Sequence, residues 1–229
     1  MSEALIRERI AELKKTFLDK RPFSKVAFAS KAFQTLDMCR IAAGEGLYLD
    51  VVSGGEIYAA LKAGFPAERM FFHGNAKTRE EIRLAVDKGV GRVVVDNLGE
   101  LRALDEIARE RGKRQPILFR ITPGVDSHTH EYIDTGRMDS KFGIPLDPRC
   151  RAEYLGAALG MKGIDLKGFH FHVGSQLMKN DSHLKATNVA VGFMAEVKRD
   201  YGFEAQELNL GGGFGVRYAA ADAPKSLGY

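Results

Sequence analysis

Lys25-Val-Ala-Phe-Ala-Ser-Lys-Ala-Phe33 is the stretch from which the rest of the chain is read. Val26 to Ala29 are consecutive apolar residues, the pattern of a short buried strand, and Ser30 and Lys31 stand where that strand should end. A lysine at the carboxyl end of a buried strand has three options. Its ammonium reaches water, finds an anion, or gives up its proton because the site needs a neutral amine. Taken alone, snorkelling to solvent is the better reading of Lys31. The pattern on either side reverses it.

Upstream, Leu5, Ile6, Ile10, Leu13, Phe17 and Leu18 recur every three or four residues, an amphipathic helix that must end before Pro22. Downstream, residues 35–43 read as a helix stopped by Gly44 and Gly46, and 47–52 as a second strand. Ser53 then caps a helix over 56–63 that Gly64 closes. A strand at 70–73, a helix at 78–88 capped by Thr78, a strand at 92–96, a helix at 98–111 and a strand at 116–121 continue the alternation. A polar insert at 123–141 precedes a helix at 151–160, a strand at 166–173, a helix at 181–201 and a seventh strand beginning at 208–210. Strand and helix alternating through short turns predict parallel strands joined by right-handed crossovers. The expected fold is α/β, a TIM-like (β/α)8 barrel truncated after its seventh strand. A doubly wound open sheet is the alternative, but no Gly-x-Gly-x-x-Gly follows the first strand.

With 229 residues, 45% hydrophobic and 28% charged, the chain can bury one sizeable core, so residues 1–229 are expected to form one domain. Lys plus Arg exceeds Asp plus Glu by 34 − 30 = 4, and the charges are scattered, which asks for neither nucleic acid nor an anionic membrane. A small anionic ligand suffices. Cys39 and Cys150 lie far apart, fitting reduced thiols in a cytoplasmic protein, and neither reads as a nucleophile. The amino terminus has no apolar run of signal-peptide or membrane-span length.

Barrel function gathers at the carboxyl ends of the strands. Here those ends carry Lys31, Asp50 with Ser53, His73 with Asn75, Asp96 with Asn97, Arg120, His172 with Ser175, and the run Gly211 to Gly215. A glycine run after a late strand lets backbone N–H groups approach an anion, so a phosphate is expected there, with the Ser175 hydroxyl as a further donor; a turn needing positive φ is the competing reading. His170 and His172 share a strand face, a spacing open to a metal, but no further ligands stand at recognisable distances and no metal is expected. His170 reads as a satisfied core histidine, and His172 as an imidazole placed against a flat ligand. An amine, a phosphate cradle and a stacking ring together suit pyridoxal phosphate.

In chain order, Phe28-Ala-Ser-Lys31-Ala, Leu49-Asp-Val-Val-Ser-Gly-Gly-Glu56, Phe72-His-Gly-Asn-Ala-Lys77, His130-Glu-Tyr-Ile-Asp-Thr-Gly136, Ser140-Lys-Phe-Gly-Ile144, His172-Val-Gly-Ser-Gln176 and Leu208-Asn-Leu-Gly-Gly-Gly-Phe-Gly215 resemble the barrel domain of the diaminopimelate decarboxylases. These belong to the fold-type III pyridoxal-phosphate enzymes, with alanine racemase and the ornithine and arginine decarboxylases. The resemblance implies that Lys31 forms the Schiff base with pyridoxal 5'-phosphate, that His172 stacks on its ring, that Ser175, Gly212 and Gly213 hold its phosphate, and that Asp50 and Arg120 line the pocket. It implies decarboxylation of meso-diaminopimelate to L-lysine by a cytoplasmic homodimer.

Three departures qualify the likeness. The family's second, β-rich domain, with its cysteine proton donor and its Glu-Pro-Gly-Arg strand, has no counterpart here, so a truncated barrel prone to associate and inactive alone is expected. The chain also starts later than the family's usual first strand, and Phe33 stands where many relatives have Asn. Two further readings stay open: a non-catalytic single-barrel pyridoxal-phosphate carrier, and a decarboxylase of another basic amino acid.

Overall fold

The computed structural model describes residues 2–125 and 142–224. In chain order they form α1 (Glu3–Thr16), β1 (Ala27–Ala29), α2 (Leu36–Gly44), β2 (Tyr48–Val51), α3 (Gly54–Lys62), β3 (Met70–Phe72), α4 (Arg79–Lys88), β4 (Arg92–Val95), α5 (Leu98–Glu110), β5 (Gln115–Thr122), β6 (Ile144–Pro145), α6 (Pro148–Gly160), β7 (Ile164–His170), α7 (Asp181–Tyr201) and β8 (Glu207–Asn209). Every strand pair is parallel, and the main sheet runs β1-β2-β3-β4-β5-β7-β8. Strand order follows chain order without the reversal that a doubly wound sheet makes at its switch point, so the barrel reading stands. The departure is β6, a two-residue strand beside the end of β5. Two residues are too few to leave a period in the sequence.

Helix starts are set by local chemistry. The Ser53 hydroxyl accepts from Glu56 N at 3.2 Å, and the Asn97 side chain from Glu100 N at 2.9 Å. Thr78 and Glu81 close a reciprocal capping box at the head of α4. Glu81 also accepts from Gly54 N at 2.8 Å, and Glu56 from Val52 N at 2.7 Å, so the loop after β2 is held by two carboxylates.

Alternation along the strands divides the interior in two. Leu49, Val51, Met70, Phe72, Val93, Val95, Ile117, Phe119 and Ile121 pack in the large core shared by sheet and helices. The intervening residues line the inside of the curled sheet in layers. At the amino end Glu207 of β8 takes Arg92 Nη2 and Nε of β4 at 2.5 and 2.9 Å, and Lys25 Nζ, just before β1, at 3.1 Å. These bonds tie the two edge strands and the middle of the sheet together. Above them Phe71, Val94 and Leu118 form a small separate cluster with Tyr48 against it. Two residues further along the same strands come Asp50, His73, Asp96 and Arg120, so the apolar layer is the floor on which the carboxyl-end groups stand.

Candidate functional site

β1 passes directly into a 3-10 turn, Ser30–Ala32, whose middle residue is the exposed Lys31. Ala29 pairs with Asp50 in the parallel ladder, so Lys31 emerges beside the end of β2. The Asp50 side chain is 24% exposed, with its buried Oδ1 3.5 Å from His73 Nε2. The His73 ring meets the His170 ring edge to face, centroids 4.6 Å apart. Across the rim, Arg120 Nε stands 4.0 Å from Asp96 Oδ1, and its guanidinium lies 4.2 Å from the centre of the Phe142 ring.

Burial dominates the electrostatics. It pushes the Asp50 carboxyl up to about 7, with Glu56 adding to the rise while Lys31 and Arg120 oppose it. It holds the His73 and His170 imidazoles well below the usual histidine range, helped in each case by neighbouring Arg120. His172 is lowered to about 4 by burial first, then by Arg120, Lys31 and His183. Asp96 is raised by burial against the pull of Arg120. Near neutral pH the rim therefore holds uncharged imidazoles and a carboxyl raised into the neutral range. Lys31, Asp50, Arg120 and His172, expected together from sequence, do share one electrostatic field.

The glycine run sits where the loops after β7 and β8 press backbone to backbone. Gly213, at φ +89°, has no room for a side chain, since a Cβ there would lie 1.8 Å from Gly174 O. At Gly211 a Cβ would lie 2.4 Å from Phe171 O. The loops are bonded through Leu177 N to Gly213 O at 2.9 Å and Gly215 N to Leu177 O at 2.8 Å. The Gln176 amide clamps Val216, donating to its carbonyl at 2.6 Å and accepting from its N–H at 3.0 Å. Gly212 N–H donates to His172 Nδ1 at 3.3 Å, so the neutral ring carries its proton on Nε2. No atom lies within 4 Å of a Cβ built at Gly212, so that side of the run is open.

Other rim residues resolve differently. Ser53 and Asn97 are helix caps rather than ligands. Asn75 and Ser175 are exposed, Ser175 next to the Gly174 carbonyl that abuts Gly213. His170 is buried but only partly satisfied: it bonds to Asn209, while its Nδ1 has no partner among the described residues. A core histidine with both nitrogens paired is thus not what forms, because the inward neighbours of β7 are another imidazole and an arginine. Among the described residues no His, Cys, Asp and Glu side chains group as metal ligands. His128, His130, the 130–136 motif and the Ser140-Lys141 start of the next lie outside the described residues.

Two residues carried no individual reading from sequence. Lys77 is buried, its ammonium donating to Gly74 O, Val94 O and Glu100 Oε1 at 2.6, 2.7 and 2.8 Å, beneath the loop that holds His73. His183, in the first turn of α7, reaches the glycine run. Lys77 had a signal in its motif; His183 had none.

Known proteins match the chain along nearly its whole length. The pyridoxal-dependent decarboxylase, pyridoxal binding domain family matches residues 3–228. Diaminopimelate decarboxylase of Bacillus subtilis is 46% identical over 221 residues, 96% of this chain and 50% of that protein. Diaminopimelate decarboxylase of Halalkalibacterium halodurans is 46% identical over 225 residues, 98% and 51% of the two. The chain thus spans about half the length of the curated relatives it matches. A crystal structure of the M. jannaschii diaminopimelate decarboxylase in co-complex with L-lysine superposes with a TM-score of 0.90 at 33% identity, covering 100% of this chain and 53% of that one. Matched along nearly its whole length, with the strand order and glycine-lined rim described above, the chain belongs to the pyridoxal-dependent decarboxylases, through their pyridoxal binding domain.

Proposed function

We propose that this rim binds pyridoxal 5'-phosphate on Lys31, and that the protein decarboxylates meso-diaminopimelate to L-lysine. The observation that carries the cofactor half is the Gly211 to Gly213 backbone. It is a lip without side chains, open at Gly212 and linked by the Gly212 to His172 bond to the field of Lys31 and Arg120. Among the described residues the Gly213 N–H has no acceptor, and Ser30 Oγ and Asp50 Oδ1 are buried without a hydrogen-bond partner. Donors and acceptors left open around an amine fit a polar, anionic, aldehyde-bearing group.

When bound, pyridoxal phosphate supplies an aldehyde for an amine and a ring that takes up the electron pair left as carbon dioxide departs. The chain's own part is to hold and to balance charge. Lys31 offers the amine, Gly213 N–H and the Ser175 hydroxyl are the proposed phosphate donors, and Gly212, whose own N–H is given to His172, leaves the space in which the phosphate would sit. His172, uncharged near neutrality, presents a flat ring whose plane the Gly212 N–H steadies. Asp50 can hold or release a proton at Oδ1 near pH 7, and buried Arg120 keeps positive charge facing it. The diaminopimelate half, together with a homodimer in the cytoplasm, rests on the relatives' names, the motif resemblance and the free thiols of Cys39 and Cys150.

The test is to add pyridoxal phosphate, reduce with borohydride and map the labelled peptide by mass. Label concentrated on Lys31 and lost in Lys31→Ala supports the reading; label spread over surface lysines refutes it. Carbon dioxide release from meso-diaminopimelate, set against ornithine and arginine, tests the substrate. Retained cofactor with no turnover of any of the three would favour the carrier reading.

A further inference from the structure

We infer that His183 is a positioning residue: it sets the plane of the Gly212–Gly213 peptide and thereby holds the Gly213 N–H as a donor towards the anion. The inference rests on the glycine run being the phosphate cradle proposed above. His183 lies in the first turn of α7 and is 7% exposed. Its Nε2 is 2.9 Å from Gly212 O, and since a carbonyl only accepts, Nε2 carries the proton. Its ring lies parallel to the Phe214 ring, 7° between planes and 4.5 Å between centroids. The imidazole is therefore clamped between a helix turn and an aromatic face, and it is this clamped ring that grips the loop.

The consequence follows from peptide geometry. Gly212 O and Gly213 N–H belong to one planar trans unit and point in opposite directions. Fixing the carbonyl against His183 aims the N–H the other way, away from α7. A glycine pair is the segment where such a plane turns over most easily, because neither residue has a Cβ to resist it. The neighbouring Gly211–Gly212 unit is held separately, through Gly212 N–H to His172 Nδ1. Two histidines, His172 in the loop after β7 and His183 on α7, thus fix two successive peptide planes, and only His172 was expected from sequence to face the ligand.

The experiment compares pyridoxal phosphate with unphosphorylated pyridoxal on the intact protein, following bound cofactor by visible absorbance. His183→Phe keeps a ring against Phe214 but has no N–H; His183→Gln places an amide N–H near the same spot. Expected are about tenfold weaker binding of pyridoxal phosphate in His183→Phe, the effect of one charge-assisted donor, unchanged pyridoxal binding, and recovery to within about twofold in His183→Gln. Equal weakening of both ligands, or none, overturns the inference. If the parent itself holds the two ligands equally well, the phosphate-cradle reading fails instead. Should His183→Phe not fold, ¹⁵N-histidine NMR of the parent decides: an Nε2–H tautomer for His183 agrees, and an Nδ1–H tautomer refutes the bond on which the inference stands.

Discussion

Replacing Lys77 with methionine should destabilise the protein in a way that grows with pH. The Lys77 side chain is 1% exposed and the Glu100 side chain 4%, with 2.8 Å between ammonium and carboxylate. All three ammonium protons are used, on Glu100 and the carbonyls of Gly74 and Val94, and Glu100 Oε2 accepts from Asp96 N at 3.3 Å. Methionine fills similar space but leaves Glu100 as an uncompensated buried charge, a loss of about 3–5 kcal/mol. For a chain of this length that is a fall in Tm of roughly 6–20 °C. Burial already raises the Glu100 pKa, with Lys77 the main opposing influence, so the variant's carboxyl must titrate higher still. A carboxyl whose folded pKa lies above its unfolded value stabilises the fold at low pH, and that stability is lost as pH rises through the folded pKa. Variant and parent therefore diverge by up to about 1.4 kcal/mol per pH unit between their two Glu100 pKa values. Urea melts of both proteins from pH 5 to pH 8 measure the divergence, and Lys77→Met with Glu100→Gln should recover most of the loss at pH 8. A loss independent of pH, or a double variant no better than the single one, would refute the buried-pair reasoning.

The loop packing and the charge at the rim each set a further outcome. Gly213→Ala should cost several kcal/mol, about 3 or more, because its Cβ would sit 1.8 Å from a carbonyl oxygen at φ +89°. Gly212→Ala, with open space, should melt within about 1 °C of the parent; a Gly213→Ala protein that melts like Gly212→Ala would contradict the loop packing. Asp50, raised to about 7, contributes stability that is present at low pH and lost as pH rises through 7. Without added cofactor, Asp50→Asn should therefore gain on the parent between pH 5 and pH 8 by on the order of 2–3 kcal/mol, and parallel stability–pH curves would show that Asp50 is not held high.

The barrel was legible because each strand leaves two marks, an apolar run and a polar residue at its carboxyl end. Val93 to Val95 before Asp96 shows both, and Phe119 with Arg120 shows them within β5, two residues short of its end. Since a parallel barrel collects all those ends on one rim, reading each strand separately was enough to assemble Lys31, Asp50, His73, Asp96, Arg120 and His172. What could not be read was the division of labour there. Serine and asparagine are preferred both as caps and as ligands, so Asn97 looked like a site residue until its bond to Glu100 was seen, whereas Ser53 already read as the cap it proves to be. Lys77 has the local look of a surface lysine before a capping threonine, and only the return of Glu100 on α5 buries it. The tie from Glu207 to Arg92 spans 115 residues, a separation at which periodicity carries no information.

The inside of the sheet sets the upper layer apart from the two layers beneath it. The lower polar layer is well paired, Glu207 accepting from both Arg92 and Lys25, and the middle layer of Phe71, Val94 and Leu118 holds no charge. In the upper layer Asp50 Oδ1, His73 Nε2, Asp96 Oδ2 and His170 Nδ1 are all buried without a hydrogen-bond partner among the described residues. Each such atom costs about 1–3 kcal/mol if nothing fills the role. A network kept for stability would be closed, as Lys77 and Glu100 are a few ångströms away. One left open, with its imidazoles held neutral and a carboxyl raised towards 7 facing Arg120, is carried by the apolar layer beneath it, and its open atoms support the proposal that the rim is a binding site.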